Sequence, residues 1–162
     1  METVYLLLGS NLGNREANLR LCLQRLSAMG KITAVSCLYQ TKAWGKTDQP
    51  DFYNQAVALL TKDSPEKMLN HILALERELG RTRHEKWGSR IIDVDILLFG
   101  GKIIESGKLN VPHPQLPSRR FALTPLAEIA PDVIHPVLKK SIADILADCT
   151  DPLEVTRLHT EI

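Results

Sequence analysis

The stretch that decides the fold is GRTRHEKWGSRIIDVDILLFG, residues 80–100, in which a cationic loop leads directly into an apolar strand. The strand carries two carboxylates, Asp93 and Asp95. Side chains alternate between the two faces of a strand, so these carboxylates point the same way, with Cα atoms roughly 6.5 to 7 Å apart. The same alternation predicts one face made of Ile92, Val94, Ile96 and Leu98. It predicts that the other face carries Asp93, Asp95, Leu97 and Phe99.

These two aspartates require a positively charged partner. Apolar residues cover both faces of the strand beyond them, and a buried, unpaired carboxylate is costly. The possible partners are the loop cations Arg81, Arg83, Lys86 and Arg90, metal ions, or both around a polyphosphate. A salt-bridge network of aspartates and arginines without any ligand is the structural alternative, because D-x-D spacing alone is only moderately specific.

The composition is that of an ordinary globular protein. Of the 162 residues, 44% are apolar and 24% are charged, which predicts a single domain over residues 1–162 with a sizeable core. The net charge of +1 argues against a broad nucleic-acid-binding face. No apolar run is long enough to span a membrane and no signal-peptide pattern is present, so we expect a cytoplasmic protein. No helix shows a spare apolar face, which makes a monomer the expectation.

The order of the predicted elements indicates an α+β fold. Strands are predicted at residues 3–8, 32–39, 52–61 and 91–99, and helices begin near Asn14 and at Ser64. Gly100-Gly101 predicts a hairpin into residues 102–105, and the proline-punctuated tail predicts short helices, one from Thr124-Pro125 and one at residues 141–147. This is the split βαβ order of a ferredoxin-like core: an antiparallel sheet with two helices on one face. Loops and the tail must then close the other face, where a site would form.

Two polar features beside these elements need an interpretation. The glycine-rich turn GSNLGN, residues 9–14, lacks the Lys-Ser/Thr of a phosphate-binding loop, so we interpret it as a structural turn between strand and helix. Glu76 falls on the apolar stripe of the second helix. It should therefore pair with a cation or a backbone donor, and we expect it to support the arginine loop.

The aromatic and cationic side chains outside the predicted core suggest two ligand types. Aromatic rings lie in or beside predicted loops, where two of them could sandwich a flat heterocycle, although they could also simply cover a sheet face. The rings are Trp44, Phe52, Tyr53, Trp87 and Phe121. Asn54 offers a donor and an acceptor for a heterocycle edge. Fork-shaped or ring donors suited to phosphate oxygens are supplied by Arg81, Arg83, Arg90, His113, Arg119 and Arg120.

Four stretches taken together resemble one enzyme family. They are GSNLGN at 9–14, QPDFYNQAV at 49–57, ELGRTRHEKWGSRIIDVDILLFG at 78–100 and VPHPQLPSRRFALTPLAEIAP at 111–131. In this order, over nearly the whole chain, they are similar to the 6-hydroxymethyl-7,8-dihydropterin pyrophosphokinases of folate biosynthesis. The resemblance implies transfer of pyrophosphate from ATP, the co-substrate, to the pterin hydroxymethyl group, with release of AMP and with two Mg²⁺ ions. It implies small-molecule substrates only, with no nucleic acid or membrane partner.

The resemblance also implies roles for individual residues. Asp93 and Asp95 would hold both metals, and Arg81 and Arg90 would contact the phosphates as catalytic residues. The residues implied around ATP are Leu69, Arg81, Arg83, Trp87, Arg90, Ile96, Lys108, Asn110, His113 and Arg119. Those implied around the pterin are Thr41, Ala43, Trp44, Phe52, Asn54, Asp93 and Phe121. Arg83 and Trp87 would belong to a loop that closes over the site.

A few positions depart from the pattern of this family. Phe52 stands where tyrosine is possible, Leu73 where a glutamine can meet the nucleotide, and Pro114 where a tyrosine can stand. These changes bear on the adenine contacts and not on the reaction. No general base is evident, and our hypothesis is a metal-activated hydroxyl helped by Asp95. The alternative functions are a ferredoxin-like nucleic-acid-binding module and a metal-dependent nucleotidyltransferase or nuclease.

Overall fold

The architecture is a twisted antiparallel sheet with helices on both faces, seen in a computed structural model that describes residues 1–42, 50–80 and 91–158. The strands are β1 (Glu2–Ser10), β2 (Lys31–Val35), β3 (Tyr39–Thr41), β4 (Phe52–Thr61), β5 (Asp93–Phe99), β6 (Ile104–Glu105), β7 (Asn110–Val111) and β8 (Val155–Arg157). The helices are α1 (Arg15–Leu26), α2 (Pro65–Glu78), α3 (Arg120–Ile129) and α4 (Ile142–Asp148), with a short 3-10 helix at Leu116–Ser118.

The main sheet has the order β5-β1-β4-β3-β8, and β2 also pairs with β4. On one face, α1 and α2 enclose a core built on Leu6, Leu19 and Ile72. On the other face, α3 and α4 pack against Leu7 and Leu97. The predicted ferredoxin-like α+β fold is therefore confirmed, and the short helices of the tail cover the second face. Among the described residues, no helix has both the length and the apolar character needed to cross a membrane.

The first two helices begin where the sequence predicts. The Asn14 side chain accepts a hydrogen bond from the Ala17 N–H at 3.0 Å, and the Ser64 hydroxyl accepts one from the Lys67 N–H at 3.2 Å. Pro65 occupies the first turn of α2, where its missing N–H costs nothing. Both starts rest on contacts within three residues, which is why local sequence was sufficient to predict them.

The strand predicted at residues 32–39 is interrupted. The chain bends after β2 because the Ser36 hydroxyl accepts a hydrogen bond from the Ala56 N–H at 2.9 Å, in the place of a ladder carbonyl. The Gln55 side-chain amide donates to the Ser36 carbonyl at 3.0 Å and holds the bend. The chain resumes as β3, which gains β8 as its second neighbour. No sequence pattern predicted β8.

A bulge in β5 overturns the predicted alternation of its faces. Tyr5 of β1 pairs with Leu98, but Leu6 pairs with Ile96, so Leu97 is an extra residue. An extra residue reverses the faces of everything that follows it. Phe99 consequently joins the core under α1 and α2, while Leu98 joins Leu97 in the core under α3 and α4. The prediction remains correct for Asp93 and Asp95, which precede the bulge.

The prediction that Gly100-Gly101 joins β5 and residues 102–105 in a hairpin is wrong. The β6 strand pairs with β7 in a separate two-stranded sheet and does not pair with β5. The physical reason is that the outer edge of β5 is occupied, since the His113 N–H donates to the Leu97 carbonyl at 2.9 Å. This contact brings the segment after β7 alongside β5.

The helix predicted to start at Thr124-Pro125 starts earlier. Pro125 lies inside α3, which begins at Arg120. The Arg120 N–H donates to the Asp151 carboxylate at 3.0 Å, so a residue far along the chain satisfies the helix end. The other tail helix is close to its prediction: α4 follows Ser141, whose hydroxyl accepts from the Asp144 N–H at 3.1 Å.

Candidate active site

Strand register brings Asp93 and Asn54 into one row across the sheet. Gly9 of β1 pairs with Asn54 on one side and with Asp93 on the other. Residues opposite each other on neighbouring strands share a face, so these two polar side chains flank Gly9 on the same surface. Asp95 pairs with Leu7, which belongs to the core under α3 and α4, and this identifies the face.

The absence of a side chain at Gly9 keeps this row open. A Cβ atom there would lie 2.8 Å from Asn54 Oδ1 and 3.6 Å from Phe52 Cδ1. Gly9 therefore lies within β1 as a spacer between Asn54 and Asp93, although its sequence context predicted a turn. The available signal was a glycine placed in a strand, which often marks close approach of another group.

Phe52 and Thr41 lie beside Asn54 on the same face of the sheet. Thr41 pairs with Phe52 next to the Asn54–Tyr39 pair. The Thr41 side chain is buried, and its hydroxyl has no hydrogen-bond partner among the described residues. Phe121 lies in the first turn of α3, which packs against β4. The Arg119 guanidinium lies 5.5 Å from the centre of the Phe121 ring.

Glu128 links α3 to β3. Its carboxylate accepts hydrogen bonds from the Tyr39 hydroxyl at 2.6 Å and from the Cys37 N–H at 3.0 Å. Burial, and then the hydrogen bond to Glu128, raises the pKa of Tyr39, so the hydroxyl remains a donor. The helix that carries Phe121 is thereby held at a set distance from the strand that leads to Thr41.

A cavity of about 290 Å³ opens on the outer side of β5. It is lined by Leu69, Ile72, Leu73, Glu76, Asp93, Val94, Asp95, Ile96, Lys108, Leu109, Asn110, His113 and Pro114. Both aspartates are in this lining, so the cavity and the Asn54 row meet at Asp93. Five of the residues predicted around a nucleotide are brought together here: Leu69, Ile96, Lys108, Asn110 and His113.

Glu76 holds the segment between the two aspartates. Glu76 is 3% exposed, and its carboxylate accepts a hydrogen bond from the Val94 N–H at 2.9 Å. Val94 separates Asp93 from Asp95, so the contact orients the backbone that carries both. The prediction of a backbone donor for Glu76 is confirmed. Its expected support of the arginine loop concerns residues 81–90, which lie outside the described residues.

The donor set around the aspartates suits a magnesium ion. Within residues 1–42, 50–80 and 91–158, no group of three or more His, Cys, Asp or Glu side chains could hold a metal. Two carboxylates on one face would be insufficient for a zinc site, but Mg²⁺ takes one or two carboxylates and completes its shell with phosphate and water. The chemistry of Asp93 and Asp95 therefore fits this ion.

The sequence of this chain is similar to that of a known enzyme family. The sequence model of the 7,8-dihydro-6-hydroxymethylpterin-pyrophosphokinase (HPPK) family matches residues 5–131. The chain belongs to the HPPK family. A 2-amino-4-hydroxy-6-hydroxymethyldihydropteridine pyrophosphokinase of Aquifex aeolicus is 40% identical over 150 residues, which cover 93% of this chain and 94% of that protein. The enzyme of the same name from Methylorubrum extorquens is 42% identical over 161 residues, covering 98% and 100%.

Solved HPPK structures agree with the fold. In the crystal structure of Plasmodium falciparum HPPK-DHPS with pterin and p-hydroxybenzoate, the matched part has a TM-score of 0.71 at 20% identity. The match covers 91% of this chain and 43% of that longer chain. The family prediction and the predicted pyrophosphokinase activity of folate synthesis are confirmed, and the nucleic-acid-binding and nucleotidyltransferase alternatives are not favoured.

Several residues implied by the HPPK resemblance lie outside the described part of the chain. They are Ala43, Trp44, Arg81, Arg83, Trp87 and Arg90. Arg120, which the sequence offered as a phosphate donor, is engaged elsewhere. Its guanidinium donates to the carbonyls of Cys149 at 2.7 Å and Asp151 at 3.2 Å. It joins α3 to the end of α4 and is a structural residue.

His113, in the lining of the β5 cavity, is neutral near pH 7. Burial, with a further contribution from Arg119, lowers the pKa of His113 to about 4, although Asp93 opposes the shift. Its Nδ1 accepts a hydrogen bond from the Gln115 N–H at 3.2 Å. In the neutral ring the proton therefore resides on Nε2, which is available to donate.

The His113 shift predicts how stability depends on pH. The unfolded chain protonates this ring near pH 6.5 and the folded chain only near pH 4, so the unfolded state binds more protons between these values. The free energy of unfolding should fall as pH decreases from about 6.5 to 4. An NMR titration of His113 in the ligand-free protein should give a midpoint near 4, and urea unfolding of His113→Asn should show a weaker pH dependence. A midpoint near 6.5 would contradict the assignment.

Proposed function

We propose that this chain transfers the β,γ-pyrophosphoryl unit of ATP to 6-hydroxymethyl-7,8-dihydropterin through the site that joins the Asn54 row to the β5 cavity. The hydroxymethyl oxygen attacks the β-phosphorus, the bond from this phosphorus to the α,β-bridging oxygen breaks, and AMP leaves. The hydroxyl proton is released to the site. The observation that carries the proposal is the position of Asp93, which borders both the row and the cavity.

Asp93 and Asp95 hold two Mg²⁺ ions in this proposal. When bound, these ions neutralise the triphosphate and lower the pKa of the attacking hydroxyl. The chain's own contribution is to present two carboxylates on one face, with their spacing held by the Glu76 contact to Val94. Asp95 assists loss of the hydroxyl proton. Arg81 and Arg90 stabilise charge on the transferred group as catalytic residues.

The pterin lies over Gly9. Phe52 and Phe121 stack on its two faces, and the Asn54 amide pairs with its edge as donor and acceptor. Asp93 completes this side of the site next to the reacting group. Thr41, with its unpartnered hydroxyl, lines the pterin together with Ala43 and Trp44.

ATP occupies the β5 cavity. Leu69 and Ile96 provide apolar contact for the adenosine, with Leu73 and Pro114 beside them in the wall. Polar contacts come from Lys108, Asn110, His113 and Arg119, and from Arg81, Arg83, Trp87 and Arg90. Neutral His113 donates from Nε2, so its contribution does not depend on pH above about 5.

The remaining assignments are part of the same proposal. The chain acts as a single pyrophosphokinase domain over residues 1–162, as a cytoplasmic monomer, on small-molecule substrates and without a nucleic acid partner. Sedimentation of the purified protein at assay concentration tests the monomer.

A ³¹P NMR time course with MgATP, with and without 6-hydroxymethyl-7,8-dihydropterin, tests the reaction. AMP should form only in the presence of the pterin, one for each pterin consumed. ADP in place of AMP would mean that a single phosphoryl group is transferred, and the substrate assignment would then be wrong.

Phe121→Ala should weaken pterin binding. The loss of one stacked ring should raise KM for the pterin about tenfold, while KM for ATP stays within about twofold. Phe121→Tyr is the matched control, because it keeps the ring and should retain near-native constants. A pterin KM that Phe121→Ala leaves unchanged would remove this residue from the pterin site.

A further inference from the structure

Pro50 and Asp51, the two residues before Phe52, accept hydrogen bonds from three separate elements. The Asn11 side-chain amide donates to the Pro50 carbonyl at 3.2 Å. The Gln40 side-chain amide donates to the Asp51 carboxylate at 2.9 Å. The Arg15 guanidinium donates to the Asp51 carbonyl at 2.7 Å. The β1–α1 turn, the β3 strand and the α1 helix thus converge on the start of β4.

Arg15 makes a second contact just beyond Phe52. Its guanidinium carbon lies 3.9 Å from the centre of the Tyr53 ring, within cation–π range. Tyr53 packs with the core under α1 and α2, whereas Phe52 approaches Gly9 on the opposite face of the sheet. Arg15 therefore contacts the residues on both sides of Phe52. The Phe52 ring itself lies on the opposite face of the sheet, near Gly9.

The geometry points to a function for this arrangement. We propose that Arg15 is a positioning residue for the pterin. It fixes the position of the Phe52 ring by contacting Asp51 and Tyr53 from the opposite face of the sheet. The proposal rests on the proposed function, because it takes Phe52 to stack on the pterin. A planar guanidinium suits both tasks, since it donates in its plane and covers an aromatic ring with its face.

Arg15→Ala should raise KM for the pterin about 5- to 20-fold, the effect of losing a charge-assisted hydrogen bond and a ring contact at a half-exposed site. KM for ATP and kcat should stay within about twofold. Arg15→Lys should restore part of the loss, because an ammonium cannot serve the carbonyl and the ring together. Arg20→Ala is the matched control, since Arg20 lies on the same helix and, within the part of the chain that the structure describes, pairs only with Glu16, at 3.6 Å on the exposed side.

A double-mutant cycle separates this role from general damage to the fold. Tyr53→Leu should weaken pterin binding in the native protein but add little in the Arg15→Ala protein, because the two residues act through one contact. Strictly additive effects of the two substitutions would overturn the proposal. Equal losses of ATP and pterin affinity in Arg15→Ala would also overturn it.

Amide hydrogen exchange provides a readout that does not need the pterin. The amides of residues 51–54 should exchange faster in Arg15→Ala than in the native protein or in Arg20→Ala, with α2 unaffected. Unchanged exchange there would overturn the proposal even if pterin binding were weaker. Should the native protein form no pterin-dependent AMP, the proposed function fails, and exchange at residues 51–54 still decides whether Arg15 holds Phe52.

Discussion

Replacing Asp95 with asparagine should lower kcat by about a thousandfold while leaving the fold intact. Asparagine has the shape of aspartate, so the packing beside Leu7 on β1 is preserved. What is lost is the negative charge that, in the proposed mechanism, would bind Mg²⁺ and assist loss of the hydroxyl proton, and removing a single electrostatic contact in an active site can cost 10²- to 10³-fold. Pterin-dependent AMP formation measures the loss, and thermal unfolding verifies the fold.

The position of the two aspartates predicts different kinetic signatures. Asp93 shares its row with Asn54, so Asp93→Asn should raise KM for the pterin in addition to lowering kcat. Asp95→Asn should act mainly on kcat. Asp144→Asn removes the same charge from an exposed position in the first turn of α4, outside the lining of the cavity, and should leave both constants near native. Near-native turnover of Asp95→Asn would contradict both the metal assignment and the hydroxyl hypothesis.

Gly9→Ala should raise KM for the pterin by about a hundredfold. The new methyl carbon would lie 2.8 Å from Asn54 Oδ1, which is too close, so the Asn54 amide must turn away. A site that binds its substrate through hydrogen bonds loses much of its affinity when one of the bonding groups, here the Asn54 amide, is misplaced. The fold should tolerate the change, because the clash involves the end of a side chain and not the backbone, and Tm should fall by no more than about 5 °C.

Gly101→Ala is the matched control for this prediction. A Cβ atom at Gly101 would meet nothing within 4 Å, so both substrate constants should remain native. Isothermal titration of the pterin into each variant in the presence of a non-hydrolysable ATP analogue measures the affinity directly. Pterin affinity within twofold of native in Gly9→Ala would show that the substrate does not depend on the gap above Gly9.

Features that depend on nearby residues could be predicted from sequence. The starts of α1 and α2 follow from Asn14 and Ser64, whose side chains bond to N–H groups three residues ahead. The shared face of Asp93 and Asp95 follows from the two-residue period of a strand. The backbone partner of Glu76 could be anticipated because a carboxylate on an apolar stripe must be satisfied, although nothing local identified Val94 as the donor.

Features that depend on pairing between distant segments could not be predicted. The bulge at Leu97 depends on how β5 aligns with β1, and it reversed the expected faces of Leu98 and Phe99. The start of α3 is set by Asp151, 31 residues after Arg120. In each case the two interacting segments come together only when the chain folds. The residue pattern within either segment therefore does not predict the contact.

The sequence alone indicated the chemistry of this protein: two carboxylates on one strand face, aromatic rings in or beside predicted loops, and motifs in the order of the HPPK family. Residue identity and a local period suffice for these. The tertiary structure alone decided the site's arrangement, in which Gly9 separates Asn54 from Asp93 and Arg15 holds the neighbours of Phe52. The physical reason is register, since hydrogen bonding between strands far apart in sequence determines which side chains meet.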